Sequence, residues 1–465
     1  MEPVLKVMKV EEMRPGQPGE NGNTNEPGNE AENNDPASGE TPQIGETYEY
    51  GDYVYTYKMI RMAMDGEEGF ELPEDMDLEP FDGWHVSTKS QNKSSYGEIL
   101  STLKGKPIKS MCFTFNGCTN LTTAPVIPSE VEDMYHTFMF CTNLKNPPDM
   151  SKARSLTNMF GTFYYCSSLI TPPIIPNSVK DMTYTFMGCT SLTTAPAIPG
   201  NVTTMYSTFS MCTSLRIGPD TSNANSLENM RGAFQMCSSL QDVSKLIIPG
   251  NVTNMDYCFV ECNSLTVTPD MSKATKLTTL DETFNECINL KDVPTLPSNL
   301  LELSNPFGGC TSLVNVCAIP ASVTSIRGAF IGCTALVNAP DMSNAKKLTD
   351  ISEAFSRCKS LKNISELPSS VTNMNYTFED CENLVIAPVI PSGVTSMMRT
   401  FENCTSLTGS IEIKANPSSY NGCFGEVDFE NQNLKLTGSS TKLDLIGATG
   451  RGYCAECNGK CLGNH

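Results

Sequence analysis

The chain has 465 residues, with 20 cysteines, 24 methionines and a single tryptophan, and carries a formal net charge of −20. The acidity is uneven: residues 1–99 hold 22 acidic and 7 basic side chains, a net of −15, which leaves only −5 for the other 366. Without a Lys/Arg stripe the chain lacks the contacts that give affinity for a phosphate backbone, so no nucleic-acid partner is expected; no run of about 18 apolar residues offers a transmembrane segment.

The opening MEPVLKVMKVEEM has neither the apolar stretch nor the small-residue cleavage site of a secretory leader. Retention in the cell, exit by another route and excision from a longer product all stay open. Residues 14–46 are rich in Pro, Gly, Asn and Glu and have little to bury, so 1–46 is expected to be a disordered acidic tail. From Tyr48 the alternating aromatics of YEYGDYVYTYKMI predict a strand. An acidic loop, Asp65 to Asp82, leads to FDGWHVSTKS, a second strand carrying Trp84, and SSYGEILSTLKGKPI then reads as a short capped helix. Residues 47–107 together form an N-terminal cap, which a stacked coil needs to cover its apolar end.

Thirteen repeats follow over residues 108–410. Phe-x-x-Cys-x-x-Leu recurs with its cysteine at positions running from Cys118 to Cys404, spaced 23 residues apart in seven intervals and 25 in five. Four residues before each Phe stands Met, Leu or Ile, and three before that Val, Leu or Ile; one unit reads Val202, Met205, Phe209, Cys212, Leu215. The distance from Val/Leu to Cys is always ten residues, so the two-residue variation falls in one arc, short as P-x-I-P-x-x-V and long as P-D-M-S-K-A-x-x-L. A fixed apolar frame with one variable arc is what stacked coils require. The i, i+3, i+7 spacing predicts a short helical or 3₁₀ turn, and S-L-x-x a short strand limited by the following Pro. No unit buries its five apolar side chains alone, so the core exists only between neighbours. Residues 411–450 are expected to cap the far end, and 451–465 to be a cysteine-rich tail.

These lines resemble the BspA-type leucine-rich repeats of bacterial surface proteins: I-P-x-x-V-x-x-I/M, then A-F or M-F, then x-x-C-x-x-L. Ser244, Cys317 and Ser365 depart from the usual Pro, and the G-W-x-V leader at Gly83 to Val86 is similar to those of gut Firmicutes and prophage-associated arrays. The resemblance implies a leucine-rich-repeat solenoid, a surface role in adhesion or partner binding, and no catalytic residues.

The thirteen repeat cysteines are expected to form a buried ladder of thiols packing as small apolar groups, too far apart between coils for relaxed disulfides. The tail offers Cys454, Cys457, Cys461 and His465, three thiolates and an imidazole at spacings able to close a zinc site; a plain flexible tail and a redox-active one are the alternatives, and no other cofactor is expected. Asp75, Asp77 and Glu79 lie in the acidic loop but lack the spacing of a calcium-binding hand. His85, His136 and His465 are the three histidines; there is no HExxH, GxSxG or phosphate-loop motif, so the chain is not expected to be an enzyme. Five of the six N-x-S/T sequons come from the repeat itself.

A working surface should vary while the frame stays constant. The two residues after each Leu do so: Thr122 and Thr123, Lys145 and Asn146, Thr193 and Thr194, Arg216 and Ile217, Gln241 and Asp242, Lys291 and Asp292, Val337 and Asn338, Lys362 and Asn363. If S-L-x-x is the strand, they project from one side of a continuous sheet and suit a protein or glycan ligand, with protein favoured because Trp and Tyr are scarce there. The reading is a non-catalytic binding or adhesion protein of the bacterial surface or secreted. The alternatives are a structural or receptor-binding part of a phage or prophage particle, and a cytoplasmic scaffold.

Overall fold

The computed structural model describes residues 41–57, 82–364 and 366–451. The acidic loop, most of the N-terminal tail and the Cys454–His465 candidate zinc site lie outside them. The N-terminal aromatic run forms a hairpin rather than one strand: β1 (Thr47–Tyr50) pairs antiparallel with β2 (Tyr53–Tyr57). Gly51 makes the reversal at φ 56°, and the Asp52 carboxylate beside it accepts the Gly97 N–H at 2.9 Å. β2 turns Tyr53, Tyr55 and Tyr57 inward and pairs with β3 (Trp84–Thr88), whose Trp84 Nε1 donates to the Leu103 carbonyl at 2.7 Å.

The helix expected over SSYGEILSTLKGKPI does not form. Its second half is a hairpin of β4 (Thr102–Leu103) and β5 (Lys106–Ser110). Lys104 and Gly105 take φ of 49° and 67°, the paired left-handed conformations of a two-residue hairpin loop. β5 also runs parallel to β3, giving a sheet in the order β1-β2-β3-β5-β4. Tyr53 and Tyr96 set ring edges against Phe115, at 6.2 and 5.1 Å, and so close the apolar end of the first coil.

Numbering coils by their ladder cysteine, from Cys118 in coil 1 to Cys404 in coil 13, each repeat is one loop of a solenoid. The helical or 3₁₀ turn expected from the spacing takes the form of a run of single turns. Left-handed residues recur two places after Met and two after Phe, as His136 (49°) and Phe140 (58°) in coil 2. The i→i+3 bonds of a 3₁₀ turn close one at a time: Thr137 N–H to Met134 O at 3.1 Å, Cys141 N–H to Phe138 O at 3.0 Å. The intervening N–H groups point along the solenoid instead, His136 to Phe160 O at 2.9 Å and Phe138 to Thr162 O at 2.8 Å. A helix would keep every bond within its own coil. The alternation satisfies the buried backbone and ties neighbouring coils together at the same time.

Two parallel ladders flank these turns. One joins the residues two places after Val/Leu, from Ser110 through Asp133, Asn158, Asp181, Thr204 and Asn229 to Asn254, and again from Thr279 to Ser419. The other follows the S-L-x-x pieces, which pair mostly as single bridges and become two-residue strands only at β6 (Asp292–Val293) and β7 (Asn315–Val316).

Inside, the repeat phenylalanines from Phe115 to Phe401, continued by Phe424, form one column of near-parallel rings, 5.1–5.8 Å apart and 2–17° from coplanar. The ladder cysteines are buried beside it, as their spacing predicts. They are more than apolar filler: from Cys141 to Cys404 each S–H donates to the Phe carbonyl of the preceding coil at 3.0–3.2 Å. Thr137, Thr185 and Thr208 do the same to Met carbonyls at 2.7–2.8 Å. The segment expected to cap the far end begins as a further coil, with Phe424 5.3 Å from Phe401. β8 (Gly409–Glu412) then pairs parallel with β9 (Leu434–Thr437), and the one helix among the described residues, α1 (Leu443–Gly447), buries Ile446.

Candidate binding surfaces

Ten of the predicted surface residues are exposed: Thr122, Thr123, Lys145, Asn146, Arg216, Gln241, Asp242, Lys291, Lys362 and Asn363; Thr193, Thr194 and Asp292 are half-buried. Bridges join Thr123 to Asn146, Thr194 to Ile217 and on to Asp242, Val267 to Asp292, and Asn338 to Asn363. The ladder is therefore a set of short runs rather than the continuous sheet expected. Pro147 and Pro172 interrupt it, standing where Ala195 donates its N–H to Ile217 O at 3.1 Å. Two of its polar residues hold neighbouring coils: Asn315 Nδ2 donates to Asp292 Oδ1 at 2.6 Å and Asn363 Nδ2 to Asn338 Oδ1 at 2.8 Å. Thr122 and Thr193 turn their hydroxyls back to Ser94 O at 3.1 Å and Ile170 O at 3.5 Å, while Lys145, Arg216, Gln241, Lys291 and Lys362 are exposed along one side of the solenoid.

Sequence reading overlooked the turn face, formed by the two residues after Met and the two after Phe. In coils 2 to 5 these include Tyr135, His136, Phe140, Phe160, Tyr164, Tyr165, Tyr184 and Tyr206. The aromatics touch from coil to coil: Tyr135 stacks on Phe160 at 4.9 Å, and Tyr184 meets Tyr206 edge-on at 5.1 Å. The signal was present in the sequence, in units whose variable positions are aromatic. It stayed hidden because those positions were assigned to a helical or 3₁₀ turn.

The left-handed residues lean onto the next coil. The ring of His136 lies over Gly161, where an added Cβ would come within 2.3 Å of its Cε1 and Nδ1, and Gly161 itself has φ +55°. Gly161→Ala is expected to cost about 1–3 kcal/mol from overpacking and about 1–2 kcal/mol from the left-handed backbone. A urea titration showing unchanged stability would contradict that.

One buried group has the residue types of a hydrolase triad. His85 Nδ1 lies 3.2 Å from Ser110 Oγ, and the Cys112 S–H donates to Asp133 Oδ2 at 2.7 Å. But Asp133 Oδ1 accepts the Tyr135 N–H at 3.1 Å, Ser110 Oγ accepts the Cys112 N–H at 3.3 Å, and all four side chains are buried. These bonds pin the cap to coils 1 and 2. The ladder thiols are equally committed, since burial pushes them up, Cys358 to about 12 and Cys141 well above its ordinary value. A thiol reagent at pH 8 is expected to leave the ladder cysteines unlabelled in the native chain and to label all thirteen after denaturation; peptide mapping that finds ladder cysteines rapidly labelled in the folded chain would overturn the buried ladder. Outside the turn face, Pro172, Pro173, Ile174, Ile198 and Pro199 line an open groove of about 710 Å³ on the proline arc.

Parallel coils, each adding one strand position to a stacked core, define a leucine-rich repeat solenoid, a protein-interaction and adhesion fold. The model of the BspA type leucine rich repeat region matches in overlapping stretches from residue 106 to 444, and the chain belongs to that family. A crystal structure of a leucine-rich repeat protein from Bacteroides ovatus is similar over 76% of this chain and 86% of that one, at 23% identity and a TM-score of 0.53. A leucine rich cell surface protein from Faecalibacterium prausnitzii matches over 70% and 95%, at 20% identity and a TM-score of 0.34. The pneumococcal vaccine antigen PcpA matches over 91% and 100%, at 13% identity and a TM-score of 0.37. None of the curated proteins matches the chain. Among the described residues no helix is long and apolar enough to cross a membrane.

Proposed function

We propose that this chain is a non-catalytic binding protein of a bacterial surface or its secretions, holding a protein partner through side chains displayed along the solenoid. The observation that carries the reading is the division of labour within each coil. The same five positions, Val/Leu/Ile, Met/Leu/Ile, Phe, Cys and Leu, face inward in every unit, while Lys145, Arg216, Gln241 and Lys362, at one repeat position, remain exposed and vary in type. Function in a repeat array resides in the positions the stack leaves free. Membership of a family built on this fold supports the same view.

The test presents the full chain to a panel of purified surface and matrix proteins and to a glycan array, then repeats the positive interactions with Lys145→Ala/Arg216→Ala/Gln241→Ala. A protein partner weakened tenfold or more by the triple substitution is expected. Binding confined to glycans, or indifferent to the substitutions, would move the working surface elsewhere.

A further inference from the structure

The turn face changes character along the solenoid. In coils 2 to 5 Phe140 is exposed and Tyr164, Tyr165, Tyr184 and Tyr206 are half-buried. In coils 7 and 8 the same positions carry carboxylates, Asp256, Glu261, Asp281, Glu282 and Glu286. Farther on, interleaved arginines neutralise the face: Arg327 reaches Glu353 at 3.4 Å and Arg399 reaches Glu402 at 3.3 Å. Among the described residues Glu261, Asp281, Glu282 and Glu286 make no such ion pair. Burial holds the carboxyls of Asp256, Asp281 and Glu282 above their usual range, and repulsion along the row, Asp256 on Asp281 and Asp281 on Glu282, adds to it. Among the described residues only Asp256 of this row has a cation at ion-pair distance, Arg231 at 3.5 Å, and Arg231 partly offsets the shift at Asp256 and Asp281.

We propose that this strip, aromatic on coils 2–5 and acidic on coils 7–8, docks an extended cationic segment of a protein partner. Apolar side chains of the segment lie on the aromatic half, and its Lys or Arg side chains on the carboxylates. This deepens the binding reading and rests on it, though not on the residues after Leu. Arg231, between the two halves, shows how such a cation is held: its guanidinium lies 5.0 Å over the Tyr257 ring and 3.5 Å from the Asp256 carboxylate. From coil 2 to coil 8 is roughly 30 Å at the strand spacing of about 4.8 Å, the reach of about nine extended residues. The ring contacts favour protein over sugar, because Tyr135 already stacks on Phe160 and Tyr184 is engaged by Tyr206. The acidic row gives the segment its sign.

The probe is a fluorescein-labelled, end-blocked peptide of twelve residues with three Phe or Leu in one half and four Arg in the other, titrated against the full chain by anisotropy. Saturable binding is expected, lost when the arginines become Glu and weakened at least tenfold by Asp281→Asn/Glu282→Gln/Glu286→Gln, with a melting midpoint no lower than the parent's. Phe140→Ser should weaken it independently. Affinity should fall with salt, and with acidification as the raised carboxyls take up protons. Equal binding by the triple variant would assign the attraction to the acidic residues 1–99 and overturn the proposal. So would the absence of saturable binding, or a neutral oligosaccharide bound in a manner that Phe140→Ser abolishes. Lys145→Ala/Arg216→Ala/Gln241→Ala should bind the peptide as the parent does. A protein partner lost in that variant while the peptide never binds would defeat this inference and leave the broader reading standing.

Discussion

Phe234→Ala is expected to lower the unfolding free energy by about 3–5 kcal/mol, the cost of emptying a fully buried phenylalanine site. Phe234 lies mid-column, its ring 5.4 Å from Phe209 and 5.2 Å from Phe259, with neither ring exposed to solvent. Two further contacts follow from its place in the coil. Its carbonyl accepts the Cys262 S–H at 3.1 Å, and its N–H donates to Cys258 O at 2.8 Å. The backbone bonds survive truncation, so the loss is one of packing and stacking. Because each coil contacts only its neighbours, the damage should centre on coils 5 to 7. Denaturant unfolding measures the total, and hydrogen exchange locates it. A cost under 1 kcal/mol would mean that the column is not a continuous core.

Acidification is expected to destabilise the chain through two histidines. Burial pushes His85 and His136 down to about 4, with Asp133 partly opposing the shift at His85. A base with a depressed folded value is neutral in the folded state and takes up a proton more readily when unfolded. The stability it contributes is fully present above the unfolded value of about 6.5 and is lost as pH falls towards 4. At about 1.4 kcal/mol per unit, each histidine accounts for about 3 kcal/mol at the acid end of that window. The raised carboxyls Asp256, Asp281, Glu282 and Glu379 act in the opposite sense, gaining stability as they protonate. Their shifts arise in half-buried surroundings, so the histidines should dominate. Melting midpoints between pH 7 and 4 test the sum. Imidazole NMR signals of His85 and His136, assigned with His85→Gln and His136→Gln, that titrate near 6.5 in the folded chain would refute the assignment.

The composite docking strip was only half legible. Its carboxylates and aromatics are plain in the sequence, but Phe140 and Glu286 are 146 residues apart and share a face only because both sit two places after a repeat Phe. The L-x-x positions were found by their variability and are where spacing put them, yet Asp292 and Asn363 were not foreseen as links between coils. The hairpin at Lys104–Gly105 was misread as helix because S-S-Y-G-E-I-L resembles a capped start, whereas a K-G pair between two strands takes left-handed conformations more readily than a helical one.

By itself the sequence determined the repeat, its register and its core. Inward positions recur at invariant offsets, and an apolar frame of that kind has few ways to be buried. The tertiary structure decided the path of the backbone between Met and Cys and which of the two ladders runs the longer. It also decided which carboxylates find an arginine and which residues 23 or 25 apart touch. Those outcomes depend on left-handed dihedrals and on hydrogen bonds to the next coil. Spacing within one unit does not encode either, because both are settled only when a second coil is in place.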